Sequence, residues 1–119
     1  MISSNQNNPV IKEYRRILGG KIKALRELAG ISQLELATRL DYNSDKFISD
    51  VETGRKGMKM EKIQEVAKIF NVSPHFLFDD TQFTKEEIQL YQKFYATLKK
   101  SKKNPQLSAT MDVLKKILG

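Results

Sequence analysis

His75 is the sole imidazole in a chain of 119 residues, and there is no cysteine. These two facts remove most site chemistry. Thiolate metal sites, cysteine nucleophiles and disulfides all need cysteine. A zinc site needs a second cluster of ligands, and none accompanies His75. Serines and aspartates are scattered, and a nucleophilic triad needs a histidine placed to serve it. His75 follows Ser73-Pro74 on a short helical stretch and reads as solvent-facing. No glycine-rich loop follows a strand to cradle a phosphate. The expectation is a non-enzyme with no cofactor and no metal. What remains able to act is charge. Lys and Arg number 21 against 14 Asp and Glu, a net charge of +7 with a pI near 9.6. Such an excess favours a polyanion, either nucleic acid or an anionic membrane surface. Polar and cationic side chains gather in one stretch: Asn43, Ser44, Asp45, Lys46, Ser49, Asp50, Arg55, Lys56 and Lys59.

The elements that must position this stretch read as helices throughout, because no segment alternates at period two. Residues 1–9 are small and polar and are expected to form a mobile arm. Helical periodicity starts near Val10, with Leu18, Ile22, Leu25 and Ala29 on one face, and Gly30 closes that helix in the left-handed conformation. Ser32 and Glu35 have capping-box spacing and open a short helix over about 33–40, with Leu36, Ala37 and Leu40 inward. Asp41, Tyr42 and Asn43 form a polar break. A third helix is expected from about Ser44 to Thr53, with Ile48 and Val51 buried and Gly54 just past its end. A fourth runs over about 60–70, burying Met60, Ile63, Val66, Ala67 and Phe70. Ser73-Pro74 starts a fifth, with Phe76 and Leu77 inward. Residues 79–82 read as a hinge. Thr84 and Glu87 form a second capping box for a helix over about 85–101, ending in a lysine-rich turn that suits the helix dipole. Asn104-Pro105 breaks it, and Leu107, Met111, Leu114 and Leu118 stripe a last helix.

Two short helices joined by a tight polar turn, with small Ala37 at their crossing, form the helix-turn-helix pattern. Residues 18–79 resemble the Cro/C1-type helix-turn-helix family of phage and bacterial repressors. The stretches that carry this are LGGKIKALRELAGISQLELATRL, FISDVETGRK and MEKIQEVAKIFNVSPHFLF, in the family's order and nearly its spacing. The resemblance covers about half of the chain. It implies an all-α, five-helix, lambda-repressor-like DNA-binding domain followed by two C-terminal helices, and an XRE-like regulator of transcription. The chain departs from the family in two places. One extra residue lies between Leu40 and Ile48, with Asp41 at the usual turn glycine, which leaves the register of the base contacts open by one. Lys59 stands where a serine usually caps the fourth helix.

By resemblance, the second motif helix enters the major groove of double-stranded DNA and turns Asp45, Lys46, Ser49 and Asp50 toward base edges. Lys46 suits guanine O6 and N7, Asp45 could accept from cytosine N4, and Ser49 is permissive. Asp45 is equally explained as a carboxylate favoured at a helix N-terminus. Gln33 resembles the family's phosphate grip at the start of the first motif helix. Asn43 and Ser44 are either helix caps or phosphate contacts. Arg55, Lys56 and Lys59 follow the recognition helix and are expected against the sugar-phosphate backbone, where contacts carry affinity without reading sequence. Arg26 and Glu52 resemble a partly buried structural pair that links the first helix to the end of the third.

Residues 80–119 lie outside the resemblance. Ile88, Tyr91, Tyr95 and Leu98 make one apolar stripe of the sixth helix, and Leu90 and Phe94 a second. One buried face is enough for a surface helix. The excess predicts a homodimer through Ile88, Tyr91, Phe94, Tyr95, Leu98, Met111 and Leu114; packing onto the fifth helix is the alternative. A dimer would set two recognition helices about 34 Å apart, one DNA turn, for a palindromic operator. A rival function keeps the scaffold but makes it an antitoxin or adaptor whose main partner is a protein held by the C-terminal helices. Membrane-surface binding by the basic first helix is disfavoured because the core claims its apolar face. With no apolar run near 18 residues and a polar N-terminus, the chain is expected to be cytoplasmic, without a membrane partner.

Overall fold

In a computed structural model, residues 8–100 and 115–118 are described. They are helical, with no strand among them. The order is α1 (Pro9–Ala29), α2 (Gln33–Arg39), α3 (Lys46–Glu52), α4 (Met60–Phe70), α5 (Pro74–Phe78) and α6 (Lys85–Lys100), with residues 115–118 again helical. The all-α architecture of five small helices and a C-terminal extension is as expected.

The helix ends follow from local chemistry. α1 starts earlier than its periodicity suggests: Asn8 Oδ1 accepts from Val10 N at 2.8 Å, and Pro9 fills the first helical position, where no N–H is needed. Pro9 therefore belongs to α1 with Asn8 as its cap, and the rest of the expected arm lies outside the described residues. Gly30 ends α1 at φ 70°. Ser32 Oγ caps α2 by accepting from Glu35 N at 3.0 Å, but the Glu35 carboxylate turns to Arg39 at 2.5 Å. The box at α2 is thus half made. At α6 it is complete: Thr84 N donates to Glu87 at 2.8 Å and Glu87 N to Thr84 Oγ1 at 3.1 Å.

α1 is the central post, with α3, α4, α5 and α6 packed around it. The core joins Leu18, Ile22 and Leu25 to Leu36, Ala37, Leu40, Ile48, Val51, Ile63, Val66, Ala67, Phe70, Phe76 and Leu77. Met60 and Ala29, expected inside, are exposed, because each lies at a helix end beyond its neighbour's reach. The core does not stop at residue 79. Ile88 of α6 is 1% exposed and belongs to it. Tyr91 packs against Phe76 with ring centroids 4.5 Å apart. Lys85 pairs with Glu27 at 2.9 Å, and Gln92 Nε2 donates to Phe70 O at 3.0 Å. Ile88 is therefore an intramolecular packing residue, its hydrophobic gain already realised within one chain, while Tyr91 is covered there only in part. Phe94, Tyr95 and Leu98 are half-buried, and Met111 and Leu114 lie outside the described residues.

Lys21 was hidden by its residue type. Its spacing from Leu18 and Leu25 places it on the buried face, and it is 3% exposed. The ammonium donates to Phe76 O at 2.7 Å and Asp79 O at 2.5 Å, and lies 5.0 and 5.4 Å from the Phe76 and Phe83 ring centroids. It thereby ties α1 to the end of α5 and the connection into α6. Burial pushes its pKa from 10.5 down to about 8, against the pull of Asp79 and Asp80. Below pH 8 folded and unfolded chains both carry this charge. Between the two values the unfolded chain holds more proton, so stability rises with pH. Above about pH 10 the half-buried Tyr14, Tyr42 and Tyr91, whose hydroxyls are pushed up by desolvation, act in the opposite sense. Urea unfolding is expected to show stability gained from pH 8 to 10, on the order of 1–2 kcal/mol. The Lys21→Met protein should lack that rise; an equal rise in both proteins would assign it to other groups.

Candidate nucleic-acid interface

The turn between α2 and α3 absorbs the extra residue with a left-handed step. Asp41 sits at φ 64°, a conformation that a side chain without a short polar group would resist. Tyr42 N returns to Ala37 O at 2.9 Å. Tyr42 is not part of a purely polar break: its ring meets Phe47 with centroids 4.7 Å apart, and Lys62 lies 5.3 Å from its centroid while donating to Leu40 O at 2.6 Å. These contacts brace a turn whose length alone would leave it loose. They also delay the recognition helix. α3 begins at Lys46, two residues after Ser44, with Asp45 at the cap position but making no side-chain cap bond. Ser44 Oγ accepts from Lys46 N at 3.4 Å, a long cap contact.

The exposed face of the motif carries Asn43, Ser44, Asp45, Lys46 and, half-exposed, Ser49. Arg55, Lys56 and Lys59 continue it beyond Gly54, which adopts φ 80°. Arg15 of α1 adds a further cation beside Gly57, a neighbour that sequence spacing did not reveal. Asp50 differs from its expected role. It is 5% exposed and does not point outward. α3 is only seven residues long, and the loop that follows folds back over it: Arg55 N and Lys56 N donate to Asp50 O at 2.9 and 3.2 Å. The Asp50 carboxylate lies 3.7 Å from Lys46 Nζ, 3.8 Å from Arg55 Nη1 and 3.7 Å from Lys56 Nζ.

Behind this face stands the ion pair expected from sequence. Arg26 Nε donates to Glu52 Oε2 at 2.7 Å and Nη2 to Oε1 at 3.1 Å, a two-pronged contact. Arg26 also donates to Ile31 O at 3.0 Å. The bond to Glu52 holds the guanidinium pKa above the ordinary arginine value. Gln33 Nε2 donates to Glu52 Oε1 at 3.0 Å, so the half-buried Gln33 is oriented by the same carboxylate. One glutamate thus fixes the start of α2, the end of α3 and the face of α1.

A pair of short packed helices with Ala37 buried, and a cationic outer face on the second helix and its following loop, defines a DNA-binding helix-turn-helix. Residues 22–77, a little under half of the chain, match the helix-turn-helix family model of the Cro/C1 type. No curated protein and no solved structure matches the chain. Among the described residues, no group of acidic and histidine side chains could hold a metal ion, and no helix is long and apolar enough to cross a membrane.

Proposed function

We propose that the protein is a transcriptional regulator, acting as a repressor in the cytoplasm, that binds a palindromic site in double-stranded DNA as a dimer. The observation that carries this is the set of exposed cations on and just after α3, with side chains of Lys46, Arg55 and Lys56 that are 79, 75 and 56% exposed. Lys46, Asp45 and Ser49 face base edges in this reading. Gln33, Asn43, Ser44, Arg55, Lys56 and Lys59 face phosphates. Affinity for duplex DNA should fall with salt at a log–log slope of roughly −0.9 per phosphate neutralised, and a selected site should be preferred over random DNA by at least about 10³-fold. Lys46→Ala is expected to relax sequence preference at one position, at a cost of about 1–3 kcal/mol on the selected site. Arg55→Ala should weaken all sequences alike and reduce the salt slope by about 1. Uniform weakening by Lys46→Ala would mean that this side chain meets phosphate and that the register across the turn is shifted.

With Ile88 inside, the dimer contact falls to the half-buried Tyr91, Phe94, Tyr95 and Leu98 together with the C-terminal segment that holds Met111 and Leu114. The protein-adaptor reading is favoured by a different observation. Leu90 and Leu118, 42 and 48% exposed, border a cavity of about 560 Å³ that also touches Phe76, Phe83 and Phe94. Sedimentation equilibrium at micromolar concentration separates the cases. A dimer weakened by Phe94→Glu supports the regulator as proposed. A monomer with salt-sensitive but indiscriminate DNA binding supports the adaptor.

A further inference from the structure

We propose that Asp50 is a specificity-determining positioning residue: a buried carboxylate that gathers three DNA-facing cations around one point and disfavours their use on random DNA. This deepens, and rests on, the DNA-binding reading. A carboxylate removed from water needs compensating charge. Here the compensation comes from two separate elements, Lys46 at the start of α3 and Arg55 with Lys56 in the loop behind it. The separations of 3.7–3.8 Å exceed hydrogen-bond length, so the ion pairs leave the cations' donors free for DNA. The backbone holds the arrangement in place, since Asp50 O accepts from Arg55 N, Lys56 N and Thr53 Oγ1.

Two consequences follow on DNA. The single charge couples the base-facing Lys46 to the phosphate-facing Arg55 and Lys56, so the three cannot be rearranged independently. It also places a negative group among the very cations that meet phosphate. When phosphates draw Arg55 and Lys56 away, the carboxylate loses compensation beside other negative charge. A complex is then favourable only if base-edge contacts hold α3 in register. Specificity gained by penalising wrong complexes is a general device.

The test uses the full chain and its Asp50→Asn variant, nearly equal in shape, with a random-sequence 30-bp duplex pool as probe. Thermal unfolding is measured first, and the double-mutant cycle with Lys46→Ala is completed. Asp50→Asn is expected to bind the unselected pool roughly tenfold more tightly, to steepen the salt slope by about 1, and to lose about tenfold in enrichment of its selected sequences. The enrichment loss should be much smaller when Lys46 is already alanine, since Asp50 acts through it. Unchanged pool affinity with a changed base at one selected position would overturn the proposal in favour of direct reading by Asp50. Equal weakening on all DNA, with a lower unfolding midpoint, would reduce Asp50 to a structural role. Wild-type protein without salt-dependent affinity for the pool would defeat the DNA-binding reading itself, a result distinct from either.

Discussion

Glu52→Ala is expected to lower the unfolding free energy by about 3–5 kcal/mol, because it strands the Arg26 charge in a site made for two. The Glu52 side chain is 2% exposed and that of Arg26 is 12% exposed, so water can do little to replace the lost partner. The same substitution frees Gln33 Nε2 and loosens α2 from α3. Domains of this size are commonly stable by only 5–15 kcal/mol, so the loss is a large fraction of the whole. Urea unfolding followed by circular dichroism measures it. Replacing Arg26 and Glu52 together with methionine and leucine should cost much less, because no charge is left buried alone. If the double replacement costs as much as Glu52→Ala, packing and not charge explains the site.

Gly19→Ala should be comparably damaging for a reason unrelated to charge. A Cβ at Gly19 would lie 2.1 Å from Val51 O and 2.9 Å from Glu52 O. Both atoms are backbone, so no side-chain rotation relieves the overlap. α1 would have to move away from the end of α3, reopening the core at the point where the recognition helix is anchored. Overpacking typically costs about 1–3 kcal/mol, and the upper end is expected where backbones must shift. Gly20 supplies the control. Nothing lies within 4 Å of a Cβ placed there, and it occupies a helix interior. Gly20→Ala is expected to raise stability by up to about 1 kcal/mol through helix propensity. Thermal unfolding of the two variants side by side should therefore move in opposite directions. A tolerated Gly19→Ala would mean that α1 and α3 are not packed as closely as these distances require.

The contrast between Gly19 and Gly20 illustrates what was legible in the chain. Both are glycines in a helical pattern, and nothing in local spacing separates them; only the approach of α3 makes one indispensable. Lys21 is similar. Its position on the Leu18–Leu25 face was readable, but a lysine there is ordinarily expected to reach solvent. It stays inside because Phe76 O and Asp79 O happen to end an element on the far side of the core. Ile88 and Tyr91 were readable as apolar and periodic, yet a stripe on a helix does not say whose surface will cover it.

The candidate site divides in the same way. The helix-turn-helix pattern, the Arg26–Glu52 pair and the cationic run after α3 rest on residue type and spacing, and residues 22–77 match the family accordingly. The turn at Asp41 was identifiable as one residue longer than the family pattern, but where α3 would start was not. That start was decided by Tyr42 packing against Phe47 and Lys62, contacts of the turn with α3 and α4 that no local rule predicts. Asp50 shows the limit most clearly. Helical spacing places it on the outer face, as it does Lys46. Its burial comes from the loop of Arg55 and Lys56 folding over a helix only seven residues long. Local sequence alone determined the helices, their caps and the sign of the surface, because those depend on neighbours within a few residues. The tertiary structure alone decided which polar groups lie inside, because burial is set by whatever distant element closes over them.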